Sequence, residues 1–241
     1  SQNVPIMGRL LSEWDSRTSG ALFLLPLWNP VLAAEQVSTL ACIAQGKFVM
    51  QCGLGAGANQ FSAMGTNIKF RPSAFEQALE SMRALWAGES VSLDGRWQFS
   101  KASISPLPPE SIDVWIGASA PIAIERAARM GDAWLGDPSM VLDEASKKMD
   151  FYIDALSRLS KPVPETIAIR RDIYVAESTT DANNTRDEIA ARGYRGFNPD
   201  ALVIGTPDVV AAEFQAFEDL GYTDIIVRNL QSDADKAVAS T

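Results

Sequence analysis

Between Ala21 and Gly57 the chain reads ALFLLPLWNPVLAAEQVSTLACIAQGKFVMQCGLGAG. The apolar run Ala21 to Leu25 is short enough for a buried strand. Asn29-Pro30 then opens a helix. Asn can accept from the first free backbone N–H groups, and Pro suits the first helical position, where its missing N–H costs nothing. Leu32, Val37, Leu40 and Ile43 recur at near-helical spacing up to Gln45, and Gly46 ends the pattern. Lys47 to Gly53 is a second apolar run, closed by glycines at 53, 55 and 57. Strand, helix, strand makes a βαβ unit with parallel strands. Neither strand alternates polar with apolar residues, as expected of a sheet covered on both faces or closed into a barrel. The glycines fall where a strand passes into a loop, the end at which parallel α/β folds bind ligands.

The same rhythm runs through the rest of the chain. Upstream, Met7 to Trp14 reads as an amphipathic helix with Leu10, Leu11 and Trp14 inward, followed by a polar turn from Asp15 to Gly20. After Gly57 a loop of small residues is expected. A helix follows from Pro72-Ser73 to Ala87, with Phe75, Leu79, Met82, Leu85 and Trp86 as its apolar stripe. In SVSLDGRWQFS, Asp94-Gly95 between alternating residues marks a tight hairpin inserted on the outside of the domain at residues 90–100. Proline-rich SPLPPE cannot be regular structure. Asp113 to Gly117 is a strand, Ile122 to Met130 a helix, and Asp132 to Leu135 a strand. A long helix covers Val141 to Leu159, with Met149, Ile153, Leu156 and Leu159 inward. Thr166 to Ala176 is a longer strand and Asp181 to Arg192 a helix. Ala201 to Ile204 is a short extended piece. Thr206-Pro207 caps the helix Asp208 to Leu220, and Asp224 to Val227 is the last strand. The polar tail after Asn229 is expected to fray. Six strand positions with intervening helices leave two candidates, an open doubly wound sheet or a TIM-type (β/α)8 barrel. The hairpin and the long turns fit the barrel better.

Composition narrows the function. The 241 residues, nearly half apolar, suit one large α/β domain or two small ones; a single domain over residues 1–241 is expected. A net charge of −9 without a basic patch argues against nucleic acid. Cys42 and Cys52 read as small buried apolar residues rather than a redox pair, and two cysteines make no zinc spacing. The chain has no histidine, which excludes a Ser-His-Asp triad, a Cys-His pair and histidine metal sites. No metal is expected. No apolar run approaches the ~20 residues that span a bilayer, and no secretory signal opens the sequence, so a cytoplasmic location without a membrane partner is expected.

Three features could carry chemistry. Gly117-Ala118-Ser119-Ala120-Pro121 joins a strand to a helix N-terminus. There small residues let backbone N–H groups reach an anion, and the helix end adds partial positive charge. It is either a phosphate cradle or an ordinary βα loop with a serine cap, and the local residues favour the loop. Gly53-Leu54-Gly55-Ala56-Gly57 could bring backbone close to a planar ring, but it is not the dinucleotide fingerprint, and by itself it reads more readily as a flexible turn. Arg170 and Arg171 share a strand and so point to opposite faces, one available to an anion in a barrel mouth, the other to Asp172 or a surface acid. Trp28 and Trp134 sit near strand ends and could wall a pocket.

Taken together, LPLWNPVLAAEQVSTL, GKFVMQCGLG, FEQALESMRALWAGESVSLDGRWQF, VWIGASAPIAIERAARMGDAWLGD and IGTPDVVAAEFQAFEDLGYTDIIVR resemble the luciferase-like flavin monooxygenase family, the superfamily of bacterial luciferase and the deazaflavin-dependent oxidoreductases. The resemblance covers nearly everything from Gly20 to Arg228. It implies a (β/α)8 barrel that binds reduced FMN, or the deazaflavin coenzyme F420, at the carboxyl ends of the strands. Gly117, Ala118, Ser119 and Ala120 match the segment that holds the cofactor phosphate. Ala21 and Leu22 match the strand behind the ring, where relatives often carry a non-proline cis peptide, expected here near Gly20 to Phe23. Gly53 and Leu54 match the neighbouring ring-contacting strand. The implied activity is a flavin-dependent monooxygenase using reduced FMN and O2 on a small organic substrate. The alternatives are a deazaflavin-dependent hydride transfer and a flavin-binding protein without catalysis. No catalytic side chain is assigned. A flavin reductase and a homodimer are further partners the resemblance implies. The family barrel begins with two βα units ahead of the strand at Ala21, and these are not evident here: either the barrel is shortened at the N-terminus, or that part of it lies outside this sequence.

Overall fold

The computed structural model describes residues 3–15, 17–231 and 234–240. Ser16 of the expected polar turn, and residues 232, 233 and 241 of the tail, lie outside them. The chain forms two compact units, residues 1–117 and 118–241.

The first unit runs α1 (Asn3–Leu11), β1 (Ser19–Leu24), α2 (Pro30–Ile43), β2 (Phe48–Gly53), α3 (Ala58–Ala63), α4 (Arg71–Trp86), β3 (Val91–Leu93), β4 (Phe99–Ala102) and β5 (Asp113–Ala118), whose last residue opens the second unit. β1 and β2 pair in parallel from Ser19↔Phe48 to Leu24↔Gly53, and β2 pairs in parallel with β5 from Val49↔Asp113 to Cys52↔Ile116. The expected βαβ unit is present.

Asn29 caps α2 as its sequence predicts: its side-chain oxygen accepts from the N–H groups of Val31 at 2.9 Å and Leu32 at 3.4 Å. The buried side of α2 differs from the expectation. Leu32 and Ile43 are exposed, and Ala33, Ala34, Val37 and Leu40 are buried. Small residues here let α4 approach closely enough for the Trp86 indole to donate to the Ala34 carbonyl at 3.0 Å. Further along α2 the proline-rich segment is held: the Ser38 hydroxyl donates to Pro106 O at 2.6 Å and the Cys42 thiol to Leu107 O at 3.5 Å. Cys42 is therefore exposed rather than a core residue, whereas Cys52 is buried.

Further expectations change in this unit. α1 stops at Leu11, its one buried residue, and Leu10 and Trp14 are exposed. Trp14 lies past the helix end with the Arg17 guanidinium 4.7 Å above its ring. The expected loop after Gly57 contains α3, anchored by fully buried Phe61. The hairpin forms, but Leu93↔Phe99 leaves a loop over residues 94–98 rather than a two-residue turn. Arg96 from that loop donates to Ser73 Oγ at 3.2 Å and lies over Phe70, tying the hairpin to the start of α4. Among the described residues the cis peptide bond is Ser105–Pro106. The cis bond expected near Gly20 to Phe23 is absent, and β1 keeps unbroken register there.

The second unit runs α5 (Pro121–Met130), β6 (Ala133–Gly136), α6 (Leu142–Arg158), β7 (Ala168–Val175), α7 (Thr179–Arg192), β8 (Val203–Gly205), α8 (Pro207–Asp219), β9 (Asp224–Asn229) and α9 (Ala234–Ala239). β7 is its hub. It meets β6 at Leu135↔Ala168, β8 at Ile173↔Val203, and β9 from Ala168↔Asp224 to Ile173↔Asn229, all in parallel. All six main strands expected from the sequence are therefore found, joined by the hairpin pair and short β8.

Trp134 is completely buried. Its indole donates to Ala118 O at 2.9 Å, and Tyr152 and Tyr222 pack against its ring at 5.2 and 5.8 Å. That cluster turns the α6 stripe. Met149 and Leu156 are buried as expected, but Tyr152 and Ala155 join them, while Leu159 is exposed. The two arginines do point apart, yet neither is free for a ligand. Arg171 is buried, stacked 4.6 Å over Phe217, and donates to the carbonyls of Met140 at 2.7 Å and Ala201. Burial lowers its pKa to about 10. Arg170 pairs at 3.1 Å with buried Asp172, which also accepts from the Tyr194 hydroxyl at 2.8 Å. Thr206 precedes α8 but makes no side-chain cap. Among the described residues of the tail, Ser240 Oγ accepts from Val175 N–H at 2.8 Å, and Asn229 donates to Ala237 O at 3.1 Å, contacts the expected fraying did not foresee.

Candidate functional site

Strand register decides which side chains share a face, because partners across a parallel pair project the same way while neighbours along a strand alternate. In the first unit, Ala21, Phe23, Met50, Cys52, Val114 and Ile116 share a face sealed from solvent. The opposite face is built of rows. One row is Leu22, Gln51 and Trp115; beyond it, at the carboxyl end, lie the pair Leu24 and Gly53 and, two residues past Trp115 on the same side of β5, Gly117. This second face is open: Leu22 is 50% exposed, and Leu24, Gln51, Gly53 and Gly117 are half-buried. The apolar run of β1 thus serves two different environments. Of the predicted pair, Leu22 faces the open side and Ala21 the sealed one.

The carboxyl row is almost free of side chains. A Cβ on Gly117 would find only Cys52 O, at 3.5 Å, and one on Gly53 only Leu24 Cδ2, at 3.8 Å. Glycine is therefore not demanded there by packing. It leaves a bare strip of backbone at the end of β2 and β5. Leu54 follows as a half-buried residue. Gly55 takes a left-handed φ of 74°, and a Cβ there would crowd Phe61 at 3.2 Å. Beside Leu22 and Leu24 lies a cleft of about 490 Å³, also lined by Leu27, Trp28, Leu32 and Met64, with Asn3, Asn29 and Gln60 as polar groups. Trp28 walls a pocket as its position suggested.

Ala118, Ser119 and Ala120 continue β5 into α5. Ala118 is buried and its carbonyl is taken by Trp134. Ser119 is half-buried and Ala120 exposed. Ala120 is the N-cap residue; its carbonyl accepts from Ala123 and Ile124 N–H at 2.9 and 3.0 Å, and no side chain caps the helix. The start of α5 therefore keeps the uncapped donors and partial positive charge that suit an anion. Among the described residues the Ser119 hydroxyl has no protein partner. Among the described residues no group of acids and cysteines could hold a metal ion, and no helix is long and apolar enough to cross a membrane.

Of the eight residues singled out from the sequence, the structure sets Leu22, Gly53 and Gly117 on one open face and runs Ala118, Ser119 and Ala120 into an uncapped helix start. It sets Ala21 apart on the sealed face, with Leu54 just past the end of β2. Sequence reading missed Leu24, Gln51 and Trp115. The signal for Gln51 was available: it is the one polar residue within FVMQCG.

These features meet known proteins at the level of sequence and of fold. A family model described as luciferase-like monooxygenase matches residues 18–201. The F420-dependent glucose-6-phosphate dehydrogenase of Nocardia farcinica is 28% identical over 134 residues, 54% of this chain and 38% of that protein. The matched segment thus spans about two-fifths of the relative's own length. The crystal structure of monooxygenase RslO1 from Streptomyces bottropensis superposes with a TM-score of 0.82 at 20% identity, over 98% of this chain and 79% of that one. An F420-dependent secondary alcohol dehydrogenase, in complex with an F420-acetone adduct, gives 0.82 at 16% identity over 100% and 82%. At those identities the likeness concerns fold: a parallel α/β sheet of the barrel type in which strand alternates with helix. With that fold, and with three-quarters of its length following one family model in order, the chain belongs to the luciferase-like monooxygenase family.

Proposed function

We propose that this chain seats a flavin-type cofactor and serves an oxidoreductase acting on a small organic substrate. The observation that carries the reading is the bare backbone strip at Gly53 and Gly117, beside the apolar cleft of Leu22, Leu24 and Trp28. A flat ring needs such a surface, because side chains at the strand ends would hold it off the backbone. The cleft is of the size and apolar lining that small-molecule sites usually have. In the first unit, Leu22, Gly53, Leu54 and Gly117 would contact the ring; in the second, Ser119 and the first turn of α5 offer a hydroxyl and N–H donors of the kind that suit a phosphate. When bound, the cofactor supplies the redox chemistry; the chain's part is to orient the ring, exclude water and offer an apolar mouth to the substrate. No side-chain nucleophile is needed, which suits a chain without histidine.

Two cofactors fit this seat. F420 takes precedence because a sequence relative is named for it, and the activity is then a hydride transfer without oxygen. The second reading, reduced FMN with O2, is supported by the family description as monooxygenase. Titration of the purified protein with F420 and with FMN, oxidised and reduced, tests both. Binding of F420 without reduced-flavin-dependent oxygen uptake is expected. Oxygen uptake with reduced FMN would favour the second reading, and binding of neither would refute the seat.

A further inference from the structure

Two polar groups on the open face of the first unit have no partner. Trp115 is 9% exposed, and its indole nitrogen is shielded from water yet has no hydrogen-bond acceptor. The side-chain amide of its register neighbour Gln51, half-buried, also has no hydrogen-bond partner among the described residues. Folded proteins seldom leave a buried donor unpaired, since it forfeits its bond to water and gains none in return. The vacancy sits one row below Gly53 and Gly117, in line with Leu22. We propose that Trp115 and Gln51 together bind the carbonyl-bearing edge of the cofactor ring: the indole N–H donates to a ring carbonyl, and the Gln51 amide pairs with the adjoining imide.

The chemistry matches. The pyrimidinedione edge common to flavin and deazaflavin rings offers acceptor, donor, acceptor in sequence. A primary amide, which both donates and accepts, is complementary to two of these, and an indole donates to a third. The rest of the row is apolar Leu22, on which a ring can lie. Because the Trp115 nitrogen is shielded, the indole or the Gln51 side chain must turn as the ring enters. The inference rests on the flavin-type seat proposed above.

The test is a binding measurement. Wild type, Trp115→Phe and Gln51→Leu are titrated with F420, FMN and the 2-thio and 4-thio analogues of FMN, whose sulfur is a poorer acceptor. Circular dichroism and melting temperature are followed in parallel. Trp115→Phe should bind the natural ring about tenfold more weakly, the loss of one buried hydrogen bond, and Gln51→Leu, which loses two, at least as weakly. Wild type should prefer oxygen to sulfur at both ring positions, and Trp115→Phe should lose that preference at one of them and keep it at the other. A variant weakened equally toward oxygen and sulfur rings has suffered only a structural change, and that result overturns the proposal. So does unchanged affinity in a protein whose wild type binds. If wild type binds neither cofactor, the flavin seat itself falls. Gln51→Leu, at a half-exposed position, keeps the test alive should Trp115→Phe fail to fold.

Discussion

Replacing Gly117 with alanine should strengthen the fold and weaken the cofactor. The φ of Gly117 lies outside the left-handed region, and the new methyl would meet only Cys52 O, at an ordinary 3.5 Å. With no strain to oppose it, the substitution acts mainly by restricting the unfolded chain, worth about 0.4–1 kcal/mol of added stability. In a chain of this size that is a rise of roughly 1–4 °C in melting temperature. A ring resting on the strip is affected in the opposite sense. The methyl carbon stands about 1.5 Å off the backbone, so a ring in contact must shift by a similar distance or tilt. Forcing such a repacking costs about 1–3 kcal/mol, a loss of about five- to more than a hundredfold in affinity. Gly20→Ala is the control. It lies on the same face, but its Cβ would fall 2.6 Å from Val49 O, so the fold itself should lose about 1–3 kcal/mol. Thermal melts and fluorescence titration with F420 or FMN read both quantities. If Gly117→Ala binds as tightly as wild type, the glycine strip is not where the ring sits.

Ser119→Asp puts a carboxylate beside the uncapped start of α5. The helix dipole should accept it at no cost in stability while it repels a phosphate, so affinity for FMN should fall far more than for riboflavin, which lacks the phosphate; an equal fall for both would move the phosphate elsewhere. Asn29→Ala removes the acceptor for two N–H groups of α2 and should cost about 1 kcal/mol in urea unfolding, a loss that Asn29→Ser largely restores. Burial raises the Tyr152 pKa to about 12, helped by nearby Asp132, and burial with the Asp181 hydrogen bond does the same for Tyr174. Because these folded values exceed the unfolded one near 10, the folded state holds its protons longer. The stabilisation is full below pH 10 and is lost between about pH 10 and 12, worth up to about 3 kcal/mol for Tyr152. Phenolate absorbance at 295 nm should therefore rise together with loss of far-ultraviolet dichroism, and a rise near pH 10 in an intact fold would contradict it.

Local chemistry was readable from residues alone. The Asn29-Pro30 helix start, the glycine stops, the six main strands and the hairpin follow from short-range rules: which residue satisfies a free N–H, which tolerates a turn, which run is long enough to bury. Proposals about ligand chemistry also began there, with Gly53, Gly117 and Ser119. What the sequence could not say is which way each side chain points. Ala21 and Leu22 are neighbours in one apolar run, yet one is sealed and the other half-exposed, because β1 pairs with β2 in one register and a slip of a single residue would exchange them. Cys42 turned outward and Trp134 inward for the same kind of reason: their surroundings come from α2 against the proline-rich segment, and from tyrosines 18 and 88 residues further along the chain. Arg171 looked available for an anion until the carbonyls of Met140 and Ala201 closed on it. Periodicity along a chain records preference for burial; pairing across strands decides which residues are buried together, and only that pairing sets Gln51 and Trp115 beside Leu22.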